Sequence, residues 1–327
     1  MIMKSSSLLL MRAGHYRKLL VRRKTEVIVA YLVLLILFVT SACMNSKFLL
    51  VRNQLNLVIA NIGLLLAVFA QLGVVMLGGV DLSVGSTISV VNVLCVKIMT
   101  ENPASWGAAV ILSLTVGLTI GFINGLLVAK GNLQPIIATL TTQTFFAGVA
   151  LLIMVNPGGT LPSKFCRTIT HGMNYAVPIL LCIISVAVMW VFVNRTGLGR
   201  CILAVGGNEQ SAKTFGISVN GIKIKAFTIS GLLAALSGIY ISAYATSGNP
   251  LMGEAYTQRS ITAVVVGGAS LSGGKGSVIG CIAAVLILGI VNNLLNLKGV
   301  SSYYQYVFQG VILMAALAFN AIHYKKN

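Results

Sequence analysis

The chain is expected to be an all-α polytopic membrane protein. Three observations predict this: its composition, the spacing of its few charges, and the places where glycine interrupts its apolar runs. Of 327 residues, 57% are hydrophobic and 9% charged, with a mean hydropathy of +0.94; a soluble domain is about a quarter charged. Charge-free stretches cover 27–46, 53–80, 82–96, 102–129, 131–163, 168–194, 226–253, 276–297 and 299–324. Several exceed the roughly 20 apolar residues that a helix needs to cross a hydrocarbon core. Backbone polar groups in lipid must be satisfied within the segment, which favours helices, and the alternating pattern of a membrane barrel is absent.

The charges set the order of the elements. The net charge is +18, but the basic residues lie between apolar runs and not on one face, which argues against a nucleic-acid partner. Seven (Lys4, Arg12, Arg17, Lys18, Arg22, Arg23, Lys24) precede the first run, five (Arg195, Arg200, Lys213, Lys223, Lys225) occupy one loop, and Lys325 and Lys326 close the chain. The positive-inside rule makes all three segments cytoplasmic, which requires an even number of crossings. About ten spans fit: 27–44, 55–77, 82–100, 106–129, 135–154, 176–193, 226–245, a short one near 261–268, 277–297 and 304–323. The organisation is then a basic cytoplasmic segment, 1–25, followed by one transmembrane domain, 26–327, with 194–225 as its long cytoplasmic loop. "TSAC" at 40–43 approaches a lipoprotein processing site, but Thr40 stands where such sites carry Leu, so the first run reads as an uncleaved helix.

The cysteines lack CxxC spacing, and His15, His171 and His323 are far apart with no acidic neighbours, so neither a metal site nor a catalytic triad is expected. "SLSGGKGS" at 270–277 looks at first like a phosphate loop. It fails on spacing, because Ala269 stands where the first Gly should be and Gly276 where a Ser or Thr should follow the Lys. Its neighbourhood explains it better. "LGGVDLSVGS" at 77–86 and "VGGASLSGGKGS" at 266–277 each place Gly-Gly and then Leu-Ser-x-Gly between apolar runs. This is the mark of an internal repeat, and of a transporter whose helices break at Gly78 and Gly79, and again at Gly267, Gly268, Ser272, Gly273 and Gly274. Asp81, followed by Ser83, reads as an N-cap that starts a new helix. Gly117, Gly121 and Gly125 read as close-packing positions.

In the basic loop, Asn208 can cap a helix, Glu209 suits its positive end and Gly216 can close it in the left-handed conformation. The resulting helix of about two turns is too short to stand alone, which makes sense if it docks on a partner. The acidic residue deep among the apolar runs, Asp81, is a candidate proton or cation carrier; its role as a cap is preferred. Asn61, Gln71, Asn92, Asn124, Thr139, Thr141, Thr142, Gln143, Asn292 and Asn293 must pair within the bundle or line a wet path, and as a group they suit a polyol. The turn "NPGG" and the following "TLPSKF" at 156–165 read as an external loop, either a docking point or a plain connector.

"GGVDLSVGS", "NGLLVAKGNLQPIIATL" at 124–140, "VGGASLSGGKGSVIG" at 266–280 and "NNLLNLKGVSSYYQYVFQG", in this order, resemble the membrane permease subunits of ribose-type bacterial ABC sugar importers. The similarity runs from about residue 50 to the C-terminus. One departure is "YTQRSITA" at 256–263, where such permeases carry a "YTLDSIAA"-like run. The resemblance implies a subunit of the bacterial inner membrane that pairs with a second permease copy or paralogue. It also implies separate ATPase subunits that use ATP and Mg, no cofactor on this chain, and a periplasmic or lipid-anchored solute-binding protein. Gln210, Ser211, Ala212 and Gly216 resemble a relaxed Glu-Ala-Ala-x-x-x-Gly coupling loop, so the contact with the ATPase is expected at Asn208, Glu209, Gln210, Ser211, Ala212, Gly216 and Ile217. A pentose or hexose is the expected solute. A branched-chain amino acid, a nucleoside or a furanosyl signalling molecule stands as the alternative, and an ion-coupled secondary carrier as the reading from a different class.

Overall fold

The computed structural model describes residues 27–314, apart from 174, 302, 303, 306, 308, 309, 312 and 313. The basic segment 1–25, both termini, and most of the expected span at 304–323 lie outside the described residues. Among the described residues the bounded α-helices are, in order, α1 (Val27–Met44), α2 (Val51–Met76), α3 (Ser83–Glu101), α4 (Trp106–Ala129), α5 (Pro135–Ile153), α6 (Ser163–His171), α7 (Ala176–Arg195), α8 (Gly197–Gly207), α9 (Glu209–Thr214), α10 (Val219–Ala245), α11 (Glu254–Val266) and α12 (Val278–Leu297). Among the described residues, 8 of these are long and apolar enough to cross a membrane: α1, α2, α3, α4 with the turn before it, α5, α7, α10 and α12.

Of the ten expected spans, eight are matched among the described residues, and the one at 304–323 lies mostly outside them. The short one expected near 261–268 is α11, which begins earlier, at Glu254, and ends at Val266. At 13 residues it is too short to cross alone. The stretch between α10 and α11 runs back along α3. The Asn92 amide donates to Ser242 Oγ (2.9 Å) and to the Ser247 carbonyl (3.3 Å), its oxygen accepts from the Asn249 N–H (2.7 Å), and Ser89 Oγ accepts from the Gly253 N–H (2.9 Å). These bonds satisfy irregular backbone that bulk lipid would leave unpaired.

The centre of the bundle is α2, α3 and α10, whose apolar residues are buried on most sides; α1, α5 and α7 turn large apolar residues such as Ile36, Leu152 and Ile183 outward. The small-residue positions of α4 work as close-packing sites. A Cβ on Gly117 would stand 2.5 Å from the Gly231 carbonyl oxygen, and one on Gly125 2.7 Å from Ile224 Cα. Helices α4 and α10 therefore meet backbone to backbone. At one end, the 156–165 loop does more than connect: Gly158 and Gly248 exchange two backbone hydrogen bonds (2.9 Å each), and Leu161 N–H donates to the Thr246 carbonyl (3.2 Å). The loop then enters α6, a helix absent from the sequence reading, which buries Phe165, Cys166 and Thr170 and exposes Lys164 and Arg167.

Candidate functional site

Both expected helix breaks are present, and they share one geometry. Helix α2 ends at Gly78 (φ +84°), whose N–H donates to the Val75 carbonyl (2.9 Å) while Gly79 N–H reaches back to Val74 (3.1 Å). Helix α11 ends at Gly268 (φ +83°), whose N–H donates to Val265 (3.0 Å) while Ala269 N–H reaches Val264 (3.1 Å). A left-handed residue at this position closes the helix by capping its last carbonyls. The geometry pairs Gly78 with Gly268 and Gly79 with Ala269, one residue out of register with the pairing that the Gly-Gly motifs suggest. The second break is the longer: it turns through Gly273 (φ +83°) and Gly274 (φ +72°) before Ser277 caps α12 by accepting from the Gly280 N–H (3.1 Å).

The first break is held by a buried polar network. Asp81 Oδ1 accepts from the Ser83 N–H (3.0 Å) and the Ser83 hydroxyl (2.6 Å), and Oδ2 accepts from the Ser230 hydroxyl of α10 (2.8 Å). The carboxylate therefore accepts from the first N–H of α3, one residue ahead of Leu82, which makes no side-chain cap bond of its own, and it lies at the positive end of that helix. The Asn124 amide of α4 donates to Ser83 Oγ (2.7 Å), and Thr142 of α5 donates to the Asn124 oxygen (2.7 Å). Thr139 donates to the Val80 carbonyl (3.1 Å). In the orientation that satisfies both of its ends, the Gln71 amide of α2 donates to the Asp81 carbonyl (3.0 Å) and accepts from its N–H (3.1 Å). Five helices are thus pinned to six residues of chain between α2 and α3.

The residues expected along a polar path fall into separate groups. Gln71, Asn124, Thr139 and Thr142 serve the first break, and Asn92 serves the stretch before α11. Asn53 and Asn293 exchange amide hydrogen bonds between α2 and α12 (3.2 and 3.0 Å), with Asn292 half-buried beside them, while Asn61 donates to Leu57 (2.7 Å) and its side chain lies against Gly289. Thr141 is exposed on α5 and donates to Ile137 (2.9 Å), and Gln143 is half-buried on the same helix.

The loop 194–225 is more helical than expected. Arg195 ends α7, Thr196 caps α8, and α9 follows after Asn208, whose oxygen accepts from the Ser211 N–H (2.8 Å). Gly216 (φ +77°) closes α9 with the same cap as the two breaks: its N–H donates to Lys213 (2.9 Å) and the Ile217 N–H to Ala212 (3.1 Å). Glu209 pairs with Lys223 of α10 (2.8 Å) and with Lys213 (3.1 Å), which holds its carboxyl below the usual range. Ala212 is buried among Val205, Val219 and Ile222, so it seats α9 on its own chain and does not face outward. The outward residues are Gln210, Ser211, Lys213, Thr214 and, above all, Phe215, which is 84% exposed. Sequence reasoning missed Phe215. Its signal was a single aromatic among polar residues, immediately before the glycine that ends the helix.

These features define a multi-pass helical membrane protein with glycine-terminated helices and a short, doubly capped helix outside the apolar spans. The chain belongs to the family described as branched-chain amino acid transport system / permease component, whose model matches residues 54–317. It is similar to the ribose import permease proteins of Haemophilus influenzae (36% identical, covering 91% of this chain and 94% of that protein) and Bacillus subtilis (38%, 88% and 90%). It is also similar to the D-allose transport system permease protein of Escherichia coli (30%, 89% and 90%). No solved structure matches the chain.

Proposed function

We propose that this chain is the permease subunit of an ATP-driven importer of a small neutral sugar of the pentose or hexose type. The observation that carries this reading is its similarity, over about nine-tenths of its length, to permeases named for ribose and allose. The subunit lies in the bacterial inner membrane with both termini and the α8–α9 loop cytoplasmic. It carries out no covalent chemistry and binds no cofactor, and ATP and Mg²⁺ belong to the partner subunits. A binding protein delivers the sugar.

Helix α9 supports the energy-coupling part of this reading. Both its ends are capped, its inner face is anchored by Ala212, and Phe215 stands in solvent, as suits a knob that enters a groove on an ATPase. The exposed face of α5, where Thr141 and Thr144 sit among Ile137, Leu140 and Phe145, supports a second permease copy across a hydrated path. Asp81 has both oxygens occupied by Ser83 and Ser230, which favours an ATP-driven permease over a carrier that moves ions on this carboxylate.

The test is uptake of labelled ribose, allose and leucine by cells carrying the permease, its binding protein and its ATPase, with and without the ATPase. Sugar uptake that requires the ATPase is expected. Uptake of leucine alone would favour the amino-acid reading that the family description suggests, and sugar uptake surviving without the ATPase would favour an ion-coupled carrier.

A further inference from the structure

Three segments far apart in sequence meet backbone to backbone: the end of α2 (76–79), the turn 270–276 that follows α11, and the last turn of α8. The Gly274 N–H donates to the Met76 carbonyl (2.9 Å). A Cβ on Gly273 would stand 2.5 Å from the Gly206 carbonyl oxygen and 2.8 Å from the Gly78 nitrogen, and one on Gly274 2.8 Å from Gly207 Cα. A Cβ on Gly206 would overlap the Met76 carbonyl oxygen and stand 2.9 Å from the Gly274 nitrogen. Each contact is with backbone, so no side chain can rotate away. Close-packed interiors have low compressibility and pass displacement on. Asn208, the cap of α9, follows directly on Gly206 and Gly207.

We propose that this junction is the link through which movement of α9 reaches both glycine breaks at once, with Gly206, Gly273 and Gly274 as positioning residues for transport. The proposal rests on reading α9 as the helix that docks on the ATPase. Apolar packing through Ala212 and the Lys223–Glu209 pair ties α9 to α10, but those side chains can adjust while the junction cannot. If α8 and the two breaks move as one body, a push on α9 shifts the ends of α2 and α11 together. The second break has no buried carboxylate network like that around Asp81 among the described residues; its turn leans on the other two segments.

The test uses the full transporter, with its ATPase subunits and binding protein, in proteoliposomes. In Gly206→Ala, the ATPase stays bound and hydrolyses ATP, while solute taken up per ATP falls about tenfold, the scale of a typical coupling free energy. Gly207→Ala is the matched control, since its Cβ would lie 3.9 Å from Gly274 Cα, an ordinary contact; its uptake per ATP is unchanged. Should Gly206→Ala fail to assemble, the unaltered junction is read by spin labels at Ala204→Cys and Lys275→Cys, both exposed positions, with Cys43 and Cys201 replaced by Ser. One label-to-label distance in the nucleotide-free and vanadate-trapped states is expected, and a change between states overturns the proposal. Normal uptake per ATP in an assembled Gly206→Ala transporter also overturns it. Phe215→Asp separates the two readings: if it leaves ATPase binding intact, the docking role of α9 is wrong, and if it abolishes binding while Gly206→Ala stays coupled, the junction alone is wrong.

Discussion

Replacing Asp81 separates a helix cap from a proton carrier. The carboxylate receives three hydrogen bonds, from the Ser83 N–H, the Ser83 hydroxyl and the Ser230 hydroxyl, and the side chain is 2% exposed. In Asp81→Ala, both hydroxyls can turn to nearby carbonyls, but the Ser83 N–H at the start of α3 has nowhere to go. A buried orphan donor costs about 1–3 kcal/mol, so a destabilisation of about 2 kcal/mol is expected. Asp81→Asn keeps one acceptor oxygen for Ser83 and turns its amide toward the Ser230 oxygen, which can accept. Its cost should stay near 1 kcal/mol, about that of one exchanged hydrogen bond. Thermal unfolding of the purified permease in detergent gives the order of stabilities, and uptake of labelled sugar in proteoliposomes gives function. Wild-type uptake by a properly folded Asp81→Asn is expected. Complete loss of uptake in that variant, at near-normal stability, would refute the cap argument and make the carboxylate's charge part of transport.

Gly216→Val should stimulate ATP hydrolysis poorly while the protein still inserts, because a β-branched residue resists φ +77°; ATPase stimulation by the purified complex measures this. Gly117→Leu should separate α4 from α10 and lower stability by about 1–3 kcal/mol, as overpacking does, read from the melting temperature. Glu209 has its pKa held down in the folded chain by Lys223 and Lys213. The pairing therefore contributes above the carboxyl's unfolded value and is lost as pH falls through its lower folded value, so ATPase association should hold at neutral pH and weaken in acid; co-purification across a pH series checks it. Cysteines placed at Lys213 and Lys326 should be labelled from the same side of the membrane, and labelling from opposite sides would refute the cytoplasmic placement of both.

Much of this architecture could be read from the sequence, for identifiable reasons. The breaks were visible because paired glycines are costly in a helix, and α9 was visible because Asn208 and Gly216 are specific end signals. The register between the two breaks depends on which glycine takes positive φ, and sequence does not distinguish Gly267 from Gly268. Helix α8 was hidden by its own Gly197, Gly199, Gly206 and Gly207, and α6 by its charges, Lys164 and Arg167, between Pro162 and Gly172. Both are held by packing that overrides weak local preference. The inward face of Ala212 and the outward one of Phe215 depend on how α9 sits on α10. The destinations of the polar side chains could not be read at all: Asn92 finds Ser242, 150 residues away.

The clamp that Asn92 and Ser89 place on the stretch before α11 has a consequence for how the protein is made. Helix α11 is short and carries Glu254, Gln258, Arg259 and Ser260, too polar to partition into lipid as it leaves the insertion machinery. It can enter where α2 and α3 already stand, α3 offering hydrogen bonds to its entry segment and α2 a covered flank. Insertion of the C-terminal third must therefore wait for assembly of the N-terminal helices. A chain in which α2 and α3 have not packed would hold α11 at the membrane surface, exposed to the quality-control proteases that survey incomplete membrane proteins.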